Sequence, residues 1–387
     1  MANTLTGLIP TIYAGLDVAS REMIGFIPNV TRDASASGAA LNQIVRSPVV
    51  PTIATETITP GNTPADSGDQ TVGYADVTIT KTKAAPIRWT GEEQLSVTKD
   101  GVINTILRNQ FAQAFRVLAN EVETDLGALY VAASRAYGTA GTAPFGTAAD
   151  MTDLAKANEI LDANGAPMSD RVMIIGGAAR ANLEGKQSQL FKVNEAGTDA
   201  LLRARQQRQL LGFQMGYSAG IAAHTKGAGT GALINNASGE AIGQTTLTYD
   251  TLTVNTTGIK AGDIVTFAAD TVNKYVVTTG TTATSGDIVI GAPGLLVAAP
   301  DNNAITVGNS YTANMFFSKN AIVLAARTPA MPIGGDDADD VQLITDPVSG
   351  LVFQVAMYKQ YRRIKYEVGL AWGVKCVKPE HLGLLLG

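Results

Sequence analysis

Few side chains in this sequence are of the types that commonly carry out catalysis. Its 387 residues include only two histidines, His224 and His381, and a single cysteine, Cys376. No histidine or cysteine pair has metal-ligand spacing, and neither His-Glu-x-x-His nor Cys-x-x-Cys occurs. A catalytic triad would have to use one of the two histidines. We therefore expect no enzyme activity, no cofactor and no metal ion, and we interpret Cys376 as a small buried residue beside Trp372 and Val374.

Two glycine-rich stretches are weakly similar to phosphate-binding loops. Ile174-Ile-Gly-Gly-Ala-Ala follows a predicted strand and opens a predicted helix, but it lacks the third spaced glycine of a dinucleotide-binding turn. Gly227-Ala-Gly-Thr-Gly is not followed by the Gly-Lys-Ser or Gly-Lys-Thr of a phosphate loop. A structural corner and a flexible linker are the favoured interpretations. Gly227, Gly229 and Gly231 are accordingly predicted to form a hinge between domains.

Charged side chains cluster at a few places in the second half of the chain. Asp336-Asp-Ala-Asp-Asp could offer carboxylates to a divalent cation, but its spacing matches no known calcium loop. The favoured interpretation is a solvated loop that meets basic residues of a neighbouring subunit. Those basic residues could also touch nucleic acid, although the net charge of -5 makes this use minor. The predicted contacts are Asp336, Asp337, Asp339 and Asp340 on the acidic side, and Arg203, Arg205 and Arg208, or Arg362, Arg363 and Lys365, on the basic side.

The overall composition favours a subunit of an assembly. Charged residues make up 16% of the chain, below the roughly 25% typical of soluble proteins, and glycine occurs 40 times. Such a chain suits surfaces that partners bury, although it also suits a bacterial surface protein. A single cysteine excludes an intrachain disulfide framework. The first residues do not read as a secretion signal, and no apolar run approaches the ~20 residues of a membrane span, so we expect a protein of the reducing cytoplasm.

The element expected to organise these residues is one long amphipathic helix, predicted over Val102–Ala133. Its apolar residues recur every three or four positions and so share one face. Asp100 is the candidate cap, and at ~1.5 Å per residue the helix would span roughly 48 Å. Gly127 is a weak helix former and is predicted to be a soft point of this spine. The predicted apolar face is Ile103, Leu107, Phe111, Ala114, Leu118, Val122, Leu126, Leu129 and Ala133, and the polar face is Asn104, Arg108, Arg116, Asn120, Glu123 and Thr124.

Residues 50 to 90 are predicted to be an extended arm, because their prolines exclude a helix. A turn-rich tip over Thr59–Asp69 is flanked by alternating segments, Ile53–Ile58 and Val72–Ile79, which predicts a two-stranded arm. An isolated hairpin is marginal in water, so we expect this arm to lie on a neighbouring subunit. Its predicted contacts there are Pro60, Asp66 and Asp69.

The first half of the chain outside the arm is predicted to be an α/β body. A short helix over Thr11–Ile24 precedes a small polar stretch, Asn29–Ala40, that shows no periodicity. Helix and strand then alternate, with Gly165 as a stop signal. The predicted elements are helices over Thr152–Asn164, Ala178–Glu184 and Asp199–Gln209, a strand over Arg171–Ile175 and an extended segment from Leu211 to Met215.

Composition changes after His224, where short strands rich in threonine and valine replace the helices. Gly-Asp-Ile-Val occurs twice, at Gly262 and Gly286, each time where a tight turn feeds a strand. This spacing predicts successive hairpins of a small inserted β-barrel. The predicted strands are Leu247–Val254, Ile264–Phe267, Lys274–Thr278, Ile288–Ile290 and Ala304–Val307.

Strands are predicted to resume in the parent body after this barrel, which places the whole chain in the α+β class. A turn at residues 347–350 is expected to close a hairpin, and Pro379 is expected to close the domain. The predicted strands are Ser318–Thr328, Gln342–Ile344, Leu351–Tyr366 and Gly369–Val377.

Five segments carry a resemblance to a known family. They are Leu118-Ala-Asn-Glu-Val-Glu, Arg208-Gln-Leu-Leu-Gly-Phe-Gln, Leu252-Thr-Val-Asn-Thr-Thr-Gly-Ile-Lys-Ala-Gly-Asp-Ile-Val-Thr-Phe, Asn320-Ala-Ile-Val-Leu-Ala-Ala-Arg and Ala371-Trp-Gly-Val-Lys-Cys-Val-Lys-Pro-Glu. In this order the chain resembles the major capsid proteins of tailed bacteriophages, which share the Johnson fold (the Hong Kong ninety-seven capsid fold). More narrowly, it is similar to the phage P twenty-two coat-protein family, whose members carry an inserted β-barrel. The chain departs from that family in a proline-richer N-terminal arm and a shorter insertion.

The resemblance implies a subunit of the virion capsid, assembled in the host cytoplasm, that forms hexamers and pentamers of an icosahedral head. It also implies a scaffolding protein, a portal protein, an optional decoration protein, and expansion when double-stranded DNA is packaged without sequence specificity. A cellular shell that encloses cargo on the same fold and a surface-layer or adhesin protein remain open alternatives. The implied division is an N-terminal arm (1–49), an extended loop (50–92), the spine helix and part of a peripheral domain (93–150), the first part of an axial domain (151–224), the inserted β-barrel (225–315) and the remainder of both domains (316–387).

Overall fold

The computed structural model describes residues 8–22, 25–49, 60, 73–98, 103–186, 209–254, 257–346 and 349–387. Its helices in these ranges are α1 (Ile9–Glu22), α2 (Gly91–Thr98), α3 (Ile103–Gly127), α4 (Thr152–Ala163) and α5 (Gly177–Lys186). Short 3-10 helices cover Ile27–Asn29, Ala128–Ala132, Lys319–Ala321 and Pro379–His381. The predicted helices near residues 11, 152 and 178 are thereby confirmed.

Strands outnumber helices, and the mixed helix and sheet content confirms the α+β class. In chain order the strands are β1 (Thr31–Ala39), β2 (Ile44–Val49), β3 (Gly73–Thr78), β4 (Lys81–Thr90), β5 (Arg135–Tyr137), β6 (Arg171–Ile175), β7 (Gln209–Leu210), β8 (Phe213–Tyr217), β9 (Ala223–His224), β10 (Leu233–Ile234), β11 (Thr246–Asp250), β12 (Ile264–Phe267), β13 (Asp270–Thr279), β14 (Gly286–Ile290), β15 (Ile305–Val307), β16 (Tyr311–Ser318), β17 (Ile322–Pro329), β18 (Asp340–Thr345), β19 (Val352–Gln360), β20 (Arg363–Cys376) and β21 (Leu382–Leu386).

The first sheet has six strands and carries the spine helix on one face. Its order is β1-β17-β20-β19-β18, and β4 also pairs with the long strand β20. Two edge-to-face aromatic pairs pack α3 on this face. The ring centroids of Phe111 and Tyr366 are 5.8 Å apart, and those of Phe115 and Phe353 are 5.0 Å apart. All four rings belong to one buried cluster, which also includes residues of the second sheet such as Phe317 and Leu384.

The spine helix α3 is shorter than the sequence predicted. The α-helix ends at Gly127, residues Ala128–Ala132 continue as a 3-10 helix, and Ala133 is extended. A Cβ on Gly127 would lie 2.3 Å from the carbonyl oxygen of Gly220, so the glycine permits two backbones to approach closely. The predicted apolar face is confirmed by the buried residues Leu107, Phe111, Ala114, Leu118, Val122 and Leu126. The predicted cap, Asp100, lies outside the described residues.

In the described residues the second sheet has thirteen strands and runs through both the body and residues 225–315, for which the sequence predicts an insertion. In the body, β16 lies between β6 and β21, and α4 and α5 pack on this part of the sheet. In the insertion, Tyr249, Phe267 and Tyr275 are part of a separate buried cluster. The two parts join where Lys274 of β13 pairs with Ala136 of β5, so the insertion is bonded to the body along a strand.

The strand predictions within the insertion agree with the structure. β12 covers Ile264–Phe267, as predicted, and the other four predicted strands overlap β11, β13, β14 and β15. Threonine and valine favour half-buried pleated surfaces, and the turn residues between them mark the strand ends. Local sequence therefore sufficed to place these strands along the chain.

Three predictions about the strands of the first sheet are wrong. The stretch that lacks periodicity forms β1, which pairs in parallel with β17. Ser318–Thr328 is not one strand, because the turn at Lys319–Ala321 separates β16 from β17 and puts them in different sheets. Leu351–Tyr366 is likewise two strands, β19 and β20, with a tight turn at Arg362, whose φ is 56°.

The end of the chain also differs from the prediction. Pro379 does not close the domain, because it begins a short 3-10 helix that leads into β21. β21 lies between β5 and β16 near the centre of the second sheet and is buried along its whole length. The predicted strand Gly369–Val377 is confirmed as the second half of β20.

The base of the predicted arm is a two-stranded ladder of β2 and β3. The prediction for Val72–Ile79 is confirmed by β3, whereas Ile53–Ile58 and the tip, apart from Pro60, lie outside the described residues. β3 runs against β20, where a Cβ on Gly373 would lie 1.9 Å from the carbonyl oxygen of Thr78. Glycine at this position therefore lets the base of the arm lie on the first sheet.

Replacing this glycine tests how tightly the base of the arm is packed. We expect Gly373→Ala to lower the free energy of unfolding by about 1–3 kcal/mol, because the methyl group overlaps backbone that cannot move aside cheaply. The control is Gly185→Ala in α5, where a Cβ meets nothing within 4 Å and alanine favours the helix. Urea unfolding followed by circular dichroism measures both, and equal midpoints for the two variants would contradict the packing described here.

Candidate assembly surface

A cluster of lysines and carboxylates joins strand β4 to the spine helix. Lys81 Nζ donates to Asp125 Oδ1 at 2.7 Å and to Glu121 Oε1 at 3.2 Å, and Lys83 Nζ donates to the same Glu121 oxygen at 2.5 Å. Trp372 Nε1 of β20 donates to the second oxygen of Asp125 at 2.8 Å. The hydrogen bond to Asp125 raises the pKa of Lys81, which keeps its ammonium charged. Two strands of the first sheet, β4 and β20, and the spine helix thus share one network.

Glu123 is predicted on the polar face of the helix, but its side chain is buried. Its Oε2 accepts hydrogen bonds from the Phe26 amide at 2.8 Å and the Ser218 hydroxyl at 2.7 Å, and its Oε1 accepts one from the Ile27 amide at 2.7 Å. A carboxylate is tolerated in the interior when hydrogen bonds replace its hydration. The prediction that Glu123 lies on the polar face is wrong. Helical periodicity does not reveal that the segment after α1 covers this part of the helix.

His224 belongs to a buried polar cluster at the end of the spine. Its Nε2 lies 2.8 Å from Asp263 Oδ1, and its Nδ1 lies 2.8 Å from the Tyr130 hydroxyl. Asp263 also accepts hydrogen bonds from the amides of Gly227 at 2.9 Å and Lys260 at 2.7 Å. A carboxylate only accepts, so the proton of the imidazole is assigned to Nε2. Tyr130 follows the spine helix, and Gly227 and Asp263 lie in residues 225–315, so the cluster joins the end of the spine to that region.

The predicted hinge glycines lie beside this cluster. A Cβ on Gly227 would be 2.2 Å from the carbonyl oxygen of Gly258, and a Cβ on Gly229 would be 2.9 Å from Leu252 Cδ1. Gly231 has a φ of 78°, which favours glycine. Two of the three glycines are therefore packed against the insertion, so the stretch is not the open linker that the sequence favoured. Movement about it stays a prediction.

The acidic loop has side-chain partners within its own chain. The Tyr358 hydroxyl donates to Asp336 Oδ2 at 2.6 Å, and this hydrogen bond lowers the pKa of the Asp336 carboxyl. Lys359 forms an ion pair with Asp339. The prediction that a neighbouring subunit supplies the basic partners is therefore incomplete, since one partner is intrachain. Among the residues that the structure describes, no group of three His, Cys, Asp or Glu side chains is placed to hold a metal ion.

The other predicted contact residues fall into three groups. Arg362 and Arg363 are exposed at the turn between β19 and β20, at the same end of the sheet as the acidic loop. Asp337 and Pro60 are also exposed, and Asp340 is half-buried at the start of β18. The residues outside the described ranges are Asp66, Asp69, Arg203, Arg205 and Arg208.

An open groove of about 740 Å³ runs between α3 and β4. Leu118 lies in its floor, and Val117 stands 58% exposed in its helical wall. Lys83 and Arg88 lie along the β4 wall. Apolar surface of this kind with a charged rim is typical of a site that another protein segment covers. The sequence held one signal for it, because Val117 is an apolar residue outside the predicted apolar face.

The comparisons with known proteins found distant similarity to several solved structures. No family model and no curated protein matches the chain. The mature capsid of bacteriophage PhiM1 is 9% identical and covers 93% of this chain and 86% of its own, with a TM-score of 0.45. The capsid of cyanophage P-SCSP1u is 10% identical, covers 92% of this chain and 86% of its own, and has a TM-score of 0.44. A virus-like particle from Pyrococcus furiosus is 10% identical, covers 98% of this chain and 99% of its own, and has a TM-score of 0.43. At these values the likeness by itself assigns neither a family nor a function.

No helix in the described part of the chain is long and apolar enough to cross a bilayer.

Glu123 provides a test of the link between the spine and the N-terminal segment. We expect Glu123→Gln to lower the free energy of unfolding by about 1.5–3 kcal/mol, because an amide offers one acceptor oxygen where the carboxylate offers two. The control is Glu159→Gln in α4, whose ion pair with Lys156 is exposed and contributes little. Urea midpoints that fall equally in both variants would show that Glu123 is not a structural anchor.

The repeated tetrapeptide supplies a matched pair of variants for the His224 cluster. Asp263 in the first copy is buried with three donors, whereas Asp287 in the second copy accepts from Thr248 at the surface. We expect Asp263→Asn to destabilise the junction by about 2–4 kcal/mol and Asp287→Asn to have little effect. Limited proteolysis should cut the Asp263→Asn variant faster between Thr225 and Ala232. Equal cutting rates in the two variants would refute this role.

Proposed function

We propose that this chain is the major capsid protein of a tailed bacteriophage and self-assembles into the hexamers and pentamers of an icosahedral head. The family resemblance in the sequence supports this proposal, because its segments coincide with elements that organise the structure. Leu118-Ala-Asn-Glu-Val-Glu lies in α3 and includes Glu123, and Ala371-Trp-Gly-Val begins in β20 and includes Trp372. Both residues anchor the spine helix.

The observation that carries the proposal is the unpartnered apolar surface at the base of the arm. Leu41, Ile44 and Tyr74 are 55%, 54% and 59% exposed, and the ladder of β2 and β3 has only two strands in the described residues. A two-stranded ladder that exposes apolar side chains is marginal in water. A neighbouring copy that covers this arm would bury those side chains and contribute about 25 cal/mol for each Å² of apolar area removed from water.

The charged end of the first sheet is the second contact in this proposal. Asp336, Asp337, Asp339 and Asp340 lie near Arg362 and Arg363 of the same chain, so a neighbouring copy can place opposite charges on both. We assign Pro60, Asp66 and Asp69 of the arm tip and Arg203 and Arg205 to further contacts between copies. In this proposal residues 225–315 form an insertion that projects outward, and Gly227, Gly229 and Gly231 form its hinge. The rest of the chain is divided into domains as the resemblance implies.

The remaining partners in the proposal follow from a capsid role. A scaffolding protein directs assembly in the host cytoplasm, a portal protein occupies one vertex, and a decoration protein is optional. The shell expands when double-stranded DNA enters, with Gly127 as the point where the spine adjusts. A net charge of -5 suits a wall that encloses DNA without binding it tightly.

Removing the tip of the arm tests the proposal. Deleting Thr59–Asp69 should give a folded protein that fails to close shells, because the apolar base of the arm loses its reach to the next subunit. The control replaces the same eleven residues with glycine and serine, which keeps the length and removes only the side chains. Electron microscopy and sedimentation with co-expressed scaffold measure the outcome, and normal heads from the deletion would refute the role of the arm.

A further inference from the structure

One apolar side chain of the first sheet points straight into solvent. Ile333 is fully exposed at a turn in which the Gly335 amide donates to the Pro332 carbonyl at 3.0 Å. Gly334 and Gly335 have φ values of 99° and 89°, so the chain bends sharply behind the isoleucine. We call residues 331–337 the knob.

The knob is held at both ends. Gln354 Nε2 donates to Met331 Sδ at 2.9 Å, and the Tyr358 hydroxyl donates to Asp336 Oδ2 at 2.6 Å. A loop fixed in this way loses little conformational entropy when a partner covers its tip. The exposed isoleucine is therefore presented in a defined position.

The groove between α3 and β4 has the complementary character. Val117, Leu118 and Ala114 line it with apolar surface. Lys83 of its β4 wall pairs with Glu121 of its helical wall, and Arg88 also stands along the β4 wall. The knob carries the opposite charge, because Asp336 and Asp337 directly follow its apolar tip. An isoleucine in the groove would bring these carboxylates towards Arg88, which sets the orientation of the contact.

The knob cannot enter the groove of its own chain. Side chains alternate between the two faces of a strand, and Gln354 and Tyr358 hold the knob on one face of β19. Phe353 and Val355 lie on the other face, in the cluster that includes α3. The knob and the groove thus lie on opposite sides of one sheet.

We propose that the knob of one copy seats in the groove between α3 and β4 of a second copy. The two surfaces differ, so the contact is heterologous. Successive copies form a ring if the rotation that relates them closes after a whole number of subunits, and an open chain if it does not. This inference rests on the proposed shell function and names one interface within it. Each copy gives one knob and receives another.

Disulfide trapping tests this contact in the full-length chain. In the double variant Val117→Cys with Ile333→Cys, each subunit carries one thiol on either side of the proposed interface. We expect diamide to give a ladder of reducible oligomers, at least about tenfold stronger than in the control, because seating raises the effective thiol concentration. The control is Val117→Cys with Val272→Cys, since Val272 is 84% exposed in the insertion. The native Cys376 is half-buried, and burial raises its pKa to about 12, which disfavours the reactive thiolate.

A charge at the tip gives a second measurement. Ile333→Asp should raise the protein concentration required for assembly by about tenfold or more, because one apolar side chain per contact no longer leaves water. Val272→Asp should leave that concentration unchanged. Light scattering during scaffold-assisted assembly measures both variants.

The outcomes separate this inference from the proposed function. Shells that form without a ladder stronger than the control, or with an unchanged assembly concentration for Ile333→Asp, overturn the docking and leave the capsid role intact. A wild-type chain that forms neither shells nor rings under any condition overturns both. The expected ladder with a selective effect of Ile333→Asp supports the interface.

Discussion

The burial of one face of α3 against the first sheet is the contact on which the rest of the structure depends. Phe111 and Phe115 supply apolar area, which stabilises the contact but does not fix its direction. Direction comes from charged groups along the same helix. Asp125 joins Lys81 of β4 to Trp372 of β20, and two residues earlier, on another side of the helix, the carboxylate of Glu123 binds the segment after α1. A buried charge that loses its partner is costly, so these pairs specify one arrangement.

The residue types that most often take part in catalysis also make structural contacts here. His224 and Asp263 have a geometry that could serve catalysis, but their remaining contacts are Tyr130 and backbone amides that fasten the insertion to the spine. The exposed features are instead apolar side chains on the arm base, a fixed knob and an open groove. Exposed apolar groups of this kind are typical of surfaces that a partner covers.

Local sequence gave good predictions where one face of an element repeats. The apolar face of α3, the helix α4 and the strand β12 were all placed correctly, because each pattern is complete within a few turns or a few residues. Predictions failed where a distant segment decides. β1 and β21 carry no regular alternation, since β1 is held by its parallel partner β17 and β21 is buried between two neighbours. The turn at Arg362 was missed because Leu351–Tyr366 reads as one continuous strand.

By itself the sequence determined the α+β class, the existence of a spine and a threonine-rich β region, and the scarcity of residue types that commonly carry out catalysis. These follow from periodicity and composition, which act over short distances along the chain. Only the tertiary structure decided that Glu123 is buried, that Asp339 pairs within its own chain, and that Ile333 and the groove lie on opposite faces of one sheet. Burial and pairing depend on which remote segment covers a residue, and a local pattern does not contain that information.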